Sequence, residues 1–206
     1  MLYQSCEHQY VECSTSKLPM VSSVICLPMY DRIFVLLAAG FIYTTQQVNV
    51  RAFYKRVYGI ITDSQNDRLF WYGFASCASL PMIGIFDEHD WKLIHGTCAI
   101  IYFISCGLYI CSLAHYLDEH KASFPESDHT NISRLKTIAL VLTIFTVSML
   151  VSIVLTGANS ITTPLFEWLT VLTQINFFCF MSFSNPFYDS VHPFGTLVSP
   201  QSSIRN

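Results

Sequence analysis

Residues 69–117 read LFWYGFASCASLPMIGIFDEHDWKLIHGTCAIIYFISCGLYICSLAHYL and hold two apolar blocks, Leu69–Phe86 and Leu93–Leu117, around the polar turn Asp87–Lys92. A helix needs roughly 20 mainly apolar residues to cross ~30 Å of hydrocarbon, and both blocks have about that length. Because the turn is short, the two helices must lie antiparallel. The stretch therefore predicts a transmembrane helical hairpin.

Three more blocks of spanning length are Ile33–Val50, Thr137–Thr156 and Pro164–Phe183. The chain of 206 residues is 52% hydrophobic and 12% charged, whereas soluble domains carry about 25% charged residues. We therefore predict an all-α, polytopic membrane helix bundle over residues 31–189, with five spans. Residues 1–30 are expected to form a lumenal tail, and residues 190–206 a flexible cytosolic tail.

The basic residues predict how the bundle is oriented. Eight of them fall in the segments 51–68 and 118–136 and in the C-terminal tail, which alternate correctly to share one side of the membrane. The other side receives Lys17, Arg32 and Lys92. Because cytosolic loops are enriched in Lys and Arg, the first side is predicted to be the cytosol. The sequon Asn131-Ile-Ser133 would then be cytosolic and unmodified.

Several function classes lack support in the sequence. The basic residues form no stripe, which excludes nucleic acid as a partner. No phosphate loop, no Gly-x-Ser-x-Gly and no His-Glu-x-x-His motif is present, so no cofactor is predicted. The start of the chain lacks the basic and apolar regions of a signal peptide, and an internal span is expected to direct insertion.

The densest polar cluster is the hairpin tip, where carboxylates and imidazoles meet one membrane face. It contains Asp87, Glu88, His89, Asp90 and His95. Such groups can exchange protons, bind a polar lipid head group or hold a divalent metal. The simpler interpretation is a solvated loop anchored by an interfacial tryptophan, and no metal ligand set is assigned.

Glu167 is a carboxylate inside the last apolar block. Charge within a span is costly and marks a functional or paired site by default. Because Glu167 lies about one turn from the lumenal end, the alternative is a rim residue that reaches water. Single polar residues elsewhere in the spans, Asn176 and His115, are expected to form hydrogen bonds between helices.

Cysteines occur in two settings. Those in the spans are interpreted as small apolar filler at helix contacts. Cys6, Cys13 and Cys26 lie in the lumenal tail, where an oxidising compartment permits a disulfide. Their pairing stays open.

Several segments, in their order and spacing, resemble one family of membrane proteins. The segments are Leu18-Pro19-x-x-Ser22, Arg51-Ala-Phe-Tyr-Lys-Arg56, Phe86-Asp87-x-His89 leading to Ile94-His95, and Phe166-Glu-Trp-Leu-Thr-Val-Leu172. The family joins post-GPI-attachment-to-proteins factor two, the damage-regulated autophagy modulators and the N-terminal domain of the yeast cell-wall protein CWH. Its members typically have six spans, so the resemblance predicts a six-span plan that lacks its first helix.

The resemblance also implies a function. The Leu-Pro-x-x-Ser form is closer to the post-GPI-attachment factor, which implies lipid remodelling of GPI anchors in the Golgi apparatus or endoplasmic reticulum. Membrane lipids, and the GPI-anchor lipid among them, are the implied partners. Whether such a protein is an enzyme or an accessory stays open. The alternative is a non-enzymatic membrane regulator of the autophagy-modulator type, in the lysosomal or plasma membrane.

Overall fold

The computed structural model describes residues 61–86, 90–124, 126–156 and 161–183, together with Met20, Val21, Ile33, Val35 and Leu37. Four long helices fill most of this part of the chain: α1 (Asp63–Ile85), α2 (Lys92–Glu119), α3 (Glu126–Thr156) and α4 (Thr162–Phe183). A 3-10 turn, Lys121–Ser123, joins α2 to α3. Within the described residues, the all-α fold class is confirmed.

Some predictions fall outside these residues. The first block is described only at Ile33, Val35 and Leu37, all helical. Most of the N-terminal tail, the hairpin tip at 87–89 and the tail 190–206 also lie outside the described residues. The domain boundaries and the missing first helix therefore stay predictions.

Helix α1 begins earlier than the sequence predicts. The segment Thr62–Asp67 precedes the predicted block Leu69–Phe86, and its turn-forming residues predict a loop. In the structure the Gln65 N–H donates to Thr62 Oγ1 (3.3 Å), and the Thr62 N–H donates to Gln65 Oε1 (2.9 Å). This reciprocal capping box satisfies two backbone donors at the helix start. The same polar residues that indicate a turn therefore start the helix here.

The connection between α2 and α3 is also shorter than predicted. We expected a polar loop over 118–136, but α3 already begins at Glu126. The first turns of α3 are amphipathic, because Ile132 and Leu135 are fully buried while Arg134 and Lys136 are exposed. Burial of such an apolar stripe stabilises a helix even where the opposite face is charged.

Neighbouring helices pack antiparallel. The hairpins α1–α2 and α3–α4 make the most extensive contacts, α2 joins them through α3, and α2 also touches α4. The core contains Leu113 and Leu117 of α2, Ile132 and Leu135 of α3, and Phe177 of α4. Helix α2 is therefore central to the described bundle.

Two of the helices match a membrane span. By length and composition, α2 and residues His129–Thr156 of α3 are apolar enough to cross a bilayer. In the described part of the chain, α1 and α4 do not reach that level. Their positions coincide with the predicted blocks Leu69–Phe86 and Pro164–Phe183, but the count of five spans stays a prediction.

The two ends of the bundle differ in their content of basic residues. The basic end carries Arg68, Lys121, Arg134 and Lys136, where α1 and α3 begin and α2 and α4 end. The hairpin end carries the α1–α2 and α3–α4 turns.

Candidate functional site

The buried face of α4 is unusually polar for a helix in an apolar bundle. Thr163, Glu167, Thr170 and Gln174 are each at most 2% exposed, and Phe177 continues the same face. Their spacing of three or four residues places them on one side of a helix. We call these four residues the α4 polar stripe. Burial of polar groups requires hydrogen-bond partners, so the contacts of the stripe show what it does.

Glu167 is tied to the N-terminal part of the chain. The backbone N–H of Val21 donates to Glu167 Oε2 at 2.8 Å, across 146 positions of sequence. The side chain is 2% exposed. Glu167 is therefore a buried, hydrogen-bonded carboxyl, which contradicts the alternative of a rim residue reaching water.

His95 is tied to the end of α1. Its Nδ1 lies 2.8 Å from the carbonyl oxygen of Phe86 and 3.1 Å from that of Ile83. These carbonyls lie at the C-terminal end of α1, where carbonyl oxygens have no N–H donor within the helix. The imidazole is 4% exposed, so the expectation of a solvated loop position is wrong for His95. Its Nδ1–H closes the α1–α2 hairpin.

These two contacts bring segments of the family resemblance together in pairs. Val21 lies in the Leu18–Ser22 segment and Glu167 in the Phe166–Leu172 segment. Phe86 and His95 likewise belong to the two parts of the hairpin segment. Both pairs meet through hydrogen bonds at the hairpin end, the first across 146 positions and the second across nine.

A second polar contact lies deeper in the bundle. The hydroxyl of Tyr102 on α2 donates to Gln174 Oε1 at 3.2 Å. Gln174 Nε2 is buried and has no acceptor in the described structure. A buried amide with half of its hydrogen-bonding capacity unused carries a desolvation penalty. This pair is a polar link between α2 and α4 within the apolar interior.

A hydroxyl cluster joins α3 to α4. Ser152 Oγ lies 2.7 Å from Thr162 Oγ1, 2.9 Å from Thr163 Oγ1 and 3.3 Å from Thr156 Oγ1. Thr163 begins the α4 polar stripe, one turn before Glu167. The cluster holds the start of α4 against the end of α3, which fixes where Glu167 enters the bundle.

The predicted site residues differ in where they lie in the structure. Asp87, Glu88 and His89 lie outside the described residues, and Asp90 is exposed in the turn. His95 and Glu167 are both buried at the hairpin end, on α2 and α4, with different backbone partners. Within the described ranges, no group of three or more His, Cys, Asp or Glu residues is arranged to hold a metal ion.

The sequence interpretation missed most of the α4 polar stripe. It singled out Glu167 but passed over Thr163, Thr170 and Gln174. Their i, i+4, i+7, i+11 spacing could have been recognised as one helical face. The partner Tyr102 had no comparable signal, because which face of α2 meets α4 depends on tertiary packing.

Comparison with known proteins identifies the family. No curated protein and no solved structure matches the chain. The model of the family described as Frag1/DRAM/Sfk1/Cwh43P N-terminal domain matches residues 2–188, which confirms the resemblance found in the sequence. Because this match covers nearly the whole chain, the protein belongs to the Frag1/DRAM/Sfk1/Cwh43P N-terminal domain family of membrane proteins.

Proposed function

We propose that the protein takes part in lipid remodelling during the maturation of GPI anchors, in the membrane of the Golgi apparatus or endoplasmic reticulum. The observation that carries the proposal is Glu167, a carboxyl 2% exposed within an apolar helix bundle. An ionisable group in such a place is costly and is a functional site by default. Its neighbourhood contains segments typical of the post-GPI-attachment branch of the family.

The location of the site suits a ligand at the membrane surface. Glu167 is five residues from the start of α4, and His95 is three from the start of α2. At 1.5 Å per residue, both lie within about 8 Å of the hairpin end, near the depth of lipid head groups. A lipid with a large polar head group could contact these helix starts while its acyl chains lie along the apolar outer faces.

The proposed role is to bind and position. The hydrogen bond to Val21 ties the N-terminal segment to Glu167, and the bond to Phe86 ties the hairpin turn to His95. Each of these two side chains thus holds a backbone group next to the hairpin end. We assign neither residue a covalent step in acyl transfer.

A second candidate is a non-enzymatic membrane regulator of the autophagy-modulator type. It is favoured by the same contacts, because Glu167 and His95 each bind backbone groups, as residues with a purely architectural role do. The two candidates differ in localisation and in the lipid composition of GPI anchors. A regulator of this type would reside in lysosomes or the plasma membrane and leave anchor lipids unchanged.

The test is complementation of cells that lack the gene. Anchor lipids of GPI-anchored proteins are measured by mass spectrometry, and their surface levels by flow cytometry. We expect unremodelled anchors or lowered surface levels in the deletion, and restoration by the wild-type chain. Glu167→Gln should restore less, because it keeps the shape and an acceptor oxygen but removes the ionisable group.

Glu119→Gln is the matched control, since it makes the same chemical change at an exposed carboxyl at the basic end. It should restore anchor lipids as the wild type does. Unchanged anchor lipids and surface levels in the deletion would refute the proposal. Lysosomal fluorescence of the tagged chain, together with normal anchors, would favour the regulator.

A further inference from the structure

Asn176 lies on the outward face of α4, opposite the α4 polar stripe. Its neighbours on that face are Leu165, Leu172, Ile175 and Cys179, all exposed. Gln174, two residues earlier, points into the bundle, and two residues correspond to about 200° around a helix. The outward face is thus apolar apart from one amide.

This amide lies at the depth of the hydrocarbon core. Tyr102, which binds Gln174, is ten residues from the start of α2, and α2 is long and apolar enough to span a bilayer. Ten residues of helix correspond to about 15 Å, half of a ~30 Å core. Asn176 is only two residues beyond Gln174, so it too lies near the middle.

An exposed amide at this depth needs a partner. Lipid tails offer neither a donor nor an acceptor, and an unsatisfied polar group in hydrocarbon costs several kcal/mol. Asn176 is exposed, and the described helices supply no hydrogen bond to its side chain. Polar residues on the outer face of a membrane helix bind another helix. The outward face of α4 is therefore a candidate interface with another helix.

We propose that this interface is formed by a second copy of the chain, with α4 against α4 and Asn176 against Asn176. Two amides are complementary to each other, since the carbonyl of each accepts from the NH₂ group of the other. In a dimer with two-fold symmetry, both of these hydrogen bonds form together. Leu165, Leu172 and Cys179 repeat every seven residues on this face, the spacing of a left-handed helix pair. Cys179 is small, which lets the two backbones approach closely.

Cross-linking tests the contact directly. Asn176→Cys is introduced together with Cys179→Ser, and membranes from cells expressing the full chain are treated with a mild oxidant. We expect a covalent homodimer. The matched control places Ile104→Cys in the same Cys179→Ser background. Ile104 is exposed on α2 at a similar depth but lies off the proposed interface, and it should give no dimer.

Co-purification of two differently tagged full-length copies measures the strength of the contact. Asn176→Leu should weaken association about three- to eighteenfold for each hydrogen bond lost, which corresponds to about 0.6–1.7 kcal/mol for a hydrogen bond between membrane helices. Asn176→Gln keeps the amide and should retain most of the association. Thermal unfolding of Asn176→Leu should match the wild type, because the outward face is not part of the core.

Two results would overturn the proposal. One is the absence of a homodimer from Asn176→Cys, including the case in which that cysteine is captured by another part of the same chain or by a different protein. The other is co-purification that Asn176→Leu leaves unchanged, since the copies would then associate through another surface.

Discussion

At the scale of single residues, a few hydrogen bonds connect different elements of the bundle. Glu167 holds the backbone of Val21, and His95 holds the last carbonyls of α1. In both cases a side chain satisfies a backbone group near the hairpin end. Backbone groups buried without partners are rare because each costs about as much as a lost hydrogen bond. These side chains are therefore architectural as well as candidate functional groups.

Two substitutions of Glu167 should show how much its hydrogen bond to Val21 contributes to stability, apart from the size of the side chain. Glu167→Leu leaves the Val21 N–H without its acceptor, so we expect a loss of about 1.5–3 kcal/mol in unfolding free energy, the range for hydrogen bonds to charged groups. Glu167→Gln keeps an acceptor and should lose less. Thermal unfolding in detergent measures both. Equal losses for the two variants would show that the Val21 contact contributes nothing.

The Tyr102–Gln174 pair allows a double-mutant cycle. Tyr102→Phe leaves the buried Gln174 amide with no partner, so the single change should cost more than one neutral hydrogen bond. Adding Gln174→Leu removes the orphaned amide and should recover part of the loss, because replacing both partners by apolar groups is nearly neutral. Unfolding free energies of the four proteins give the coupling. Additive effects would mean that the bond seen between the hydroxyl and the amide is not formed in the membrane.

At the scale of elements, the polarity of the exposed residues changes along α3. Its exposed residues are polar up to Thr137 and apolar from Leu140 to Leu155, except for Thr143, whose hydroxyl donates to the Ala139 carbonyl. The apolar part is about 24 Å long, close to the hydrocarbon thickness. We therefore expect the first turns of α3 to lie outside the hydrocarbon, where Ile132 and Leu135 belong to the core formed with α2.

A lysine scan along α3 tests where it enters the membrane. Val147→Lys places a charge at an exposed position within the apolar part and should cost about 2.5–3.5 kcal/mol, visible as poor membrane integration. Thr130→Lys makes the same change at an exposed position of the polar part and should stay within about 0.5 kcal/mol of wild type. Integration is measured by alkaline extraction of membranes. Equal tolerance at the two positions would contradict the proposed boundary.

The same elements show how much the sequence could predict. Apolar length was enough to locate the four helices, because membrane spans must be long and continuous. The helix starts at Asp63 and Glu126 were missed, since hydropathy cannot distinguish a polar loop from an amphipathic helix that extends into water. Glu167 was found because charge in a span is rare, whereas Tyr102 became visible only through packing. The resemblance identified the family, but it could not show which of the matching segments contact each other in the folded chain.

At the scale of the whole molecule, the exposed residues of three helices change from polar to apolar near the basic end. Exposed side chains change from polar to apolar between Arg68 and Trp71 on α1, between His115 and Leu108 on α2, and between Thr137 and Leu140 on α3. Gln65 binds Glu119 and Lys136 binds Asp118 just outside this level. We therefore expect the basic end to protrude from the membrane as a helical cap, with Leu117, Ile132 and Leu135 in its packed interior.

The side of the membrane on which this cap lies follows from its charge. Basic residues near span ends stay in the cytosol, so we expect the cap to be cytosolic and the hairpin end lumenal. Ser123→Cys, exposed in the cap, should react with an impermeant maleimide once the plasma membrane alone is permeabilised. Asp90→Cys, exposed at the hairpin end, should react only after internal membranes are opened, and the unsubstituted chain sets the background. The reverse pattern, or a glycan on Asn131 in the cap, would place the basic end in the lumen and move Glu167 and His95 to the cytosolic face, where a head group of the GPI anchor could not reach them.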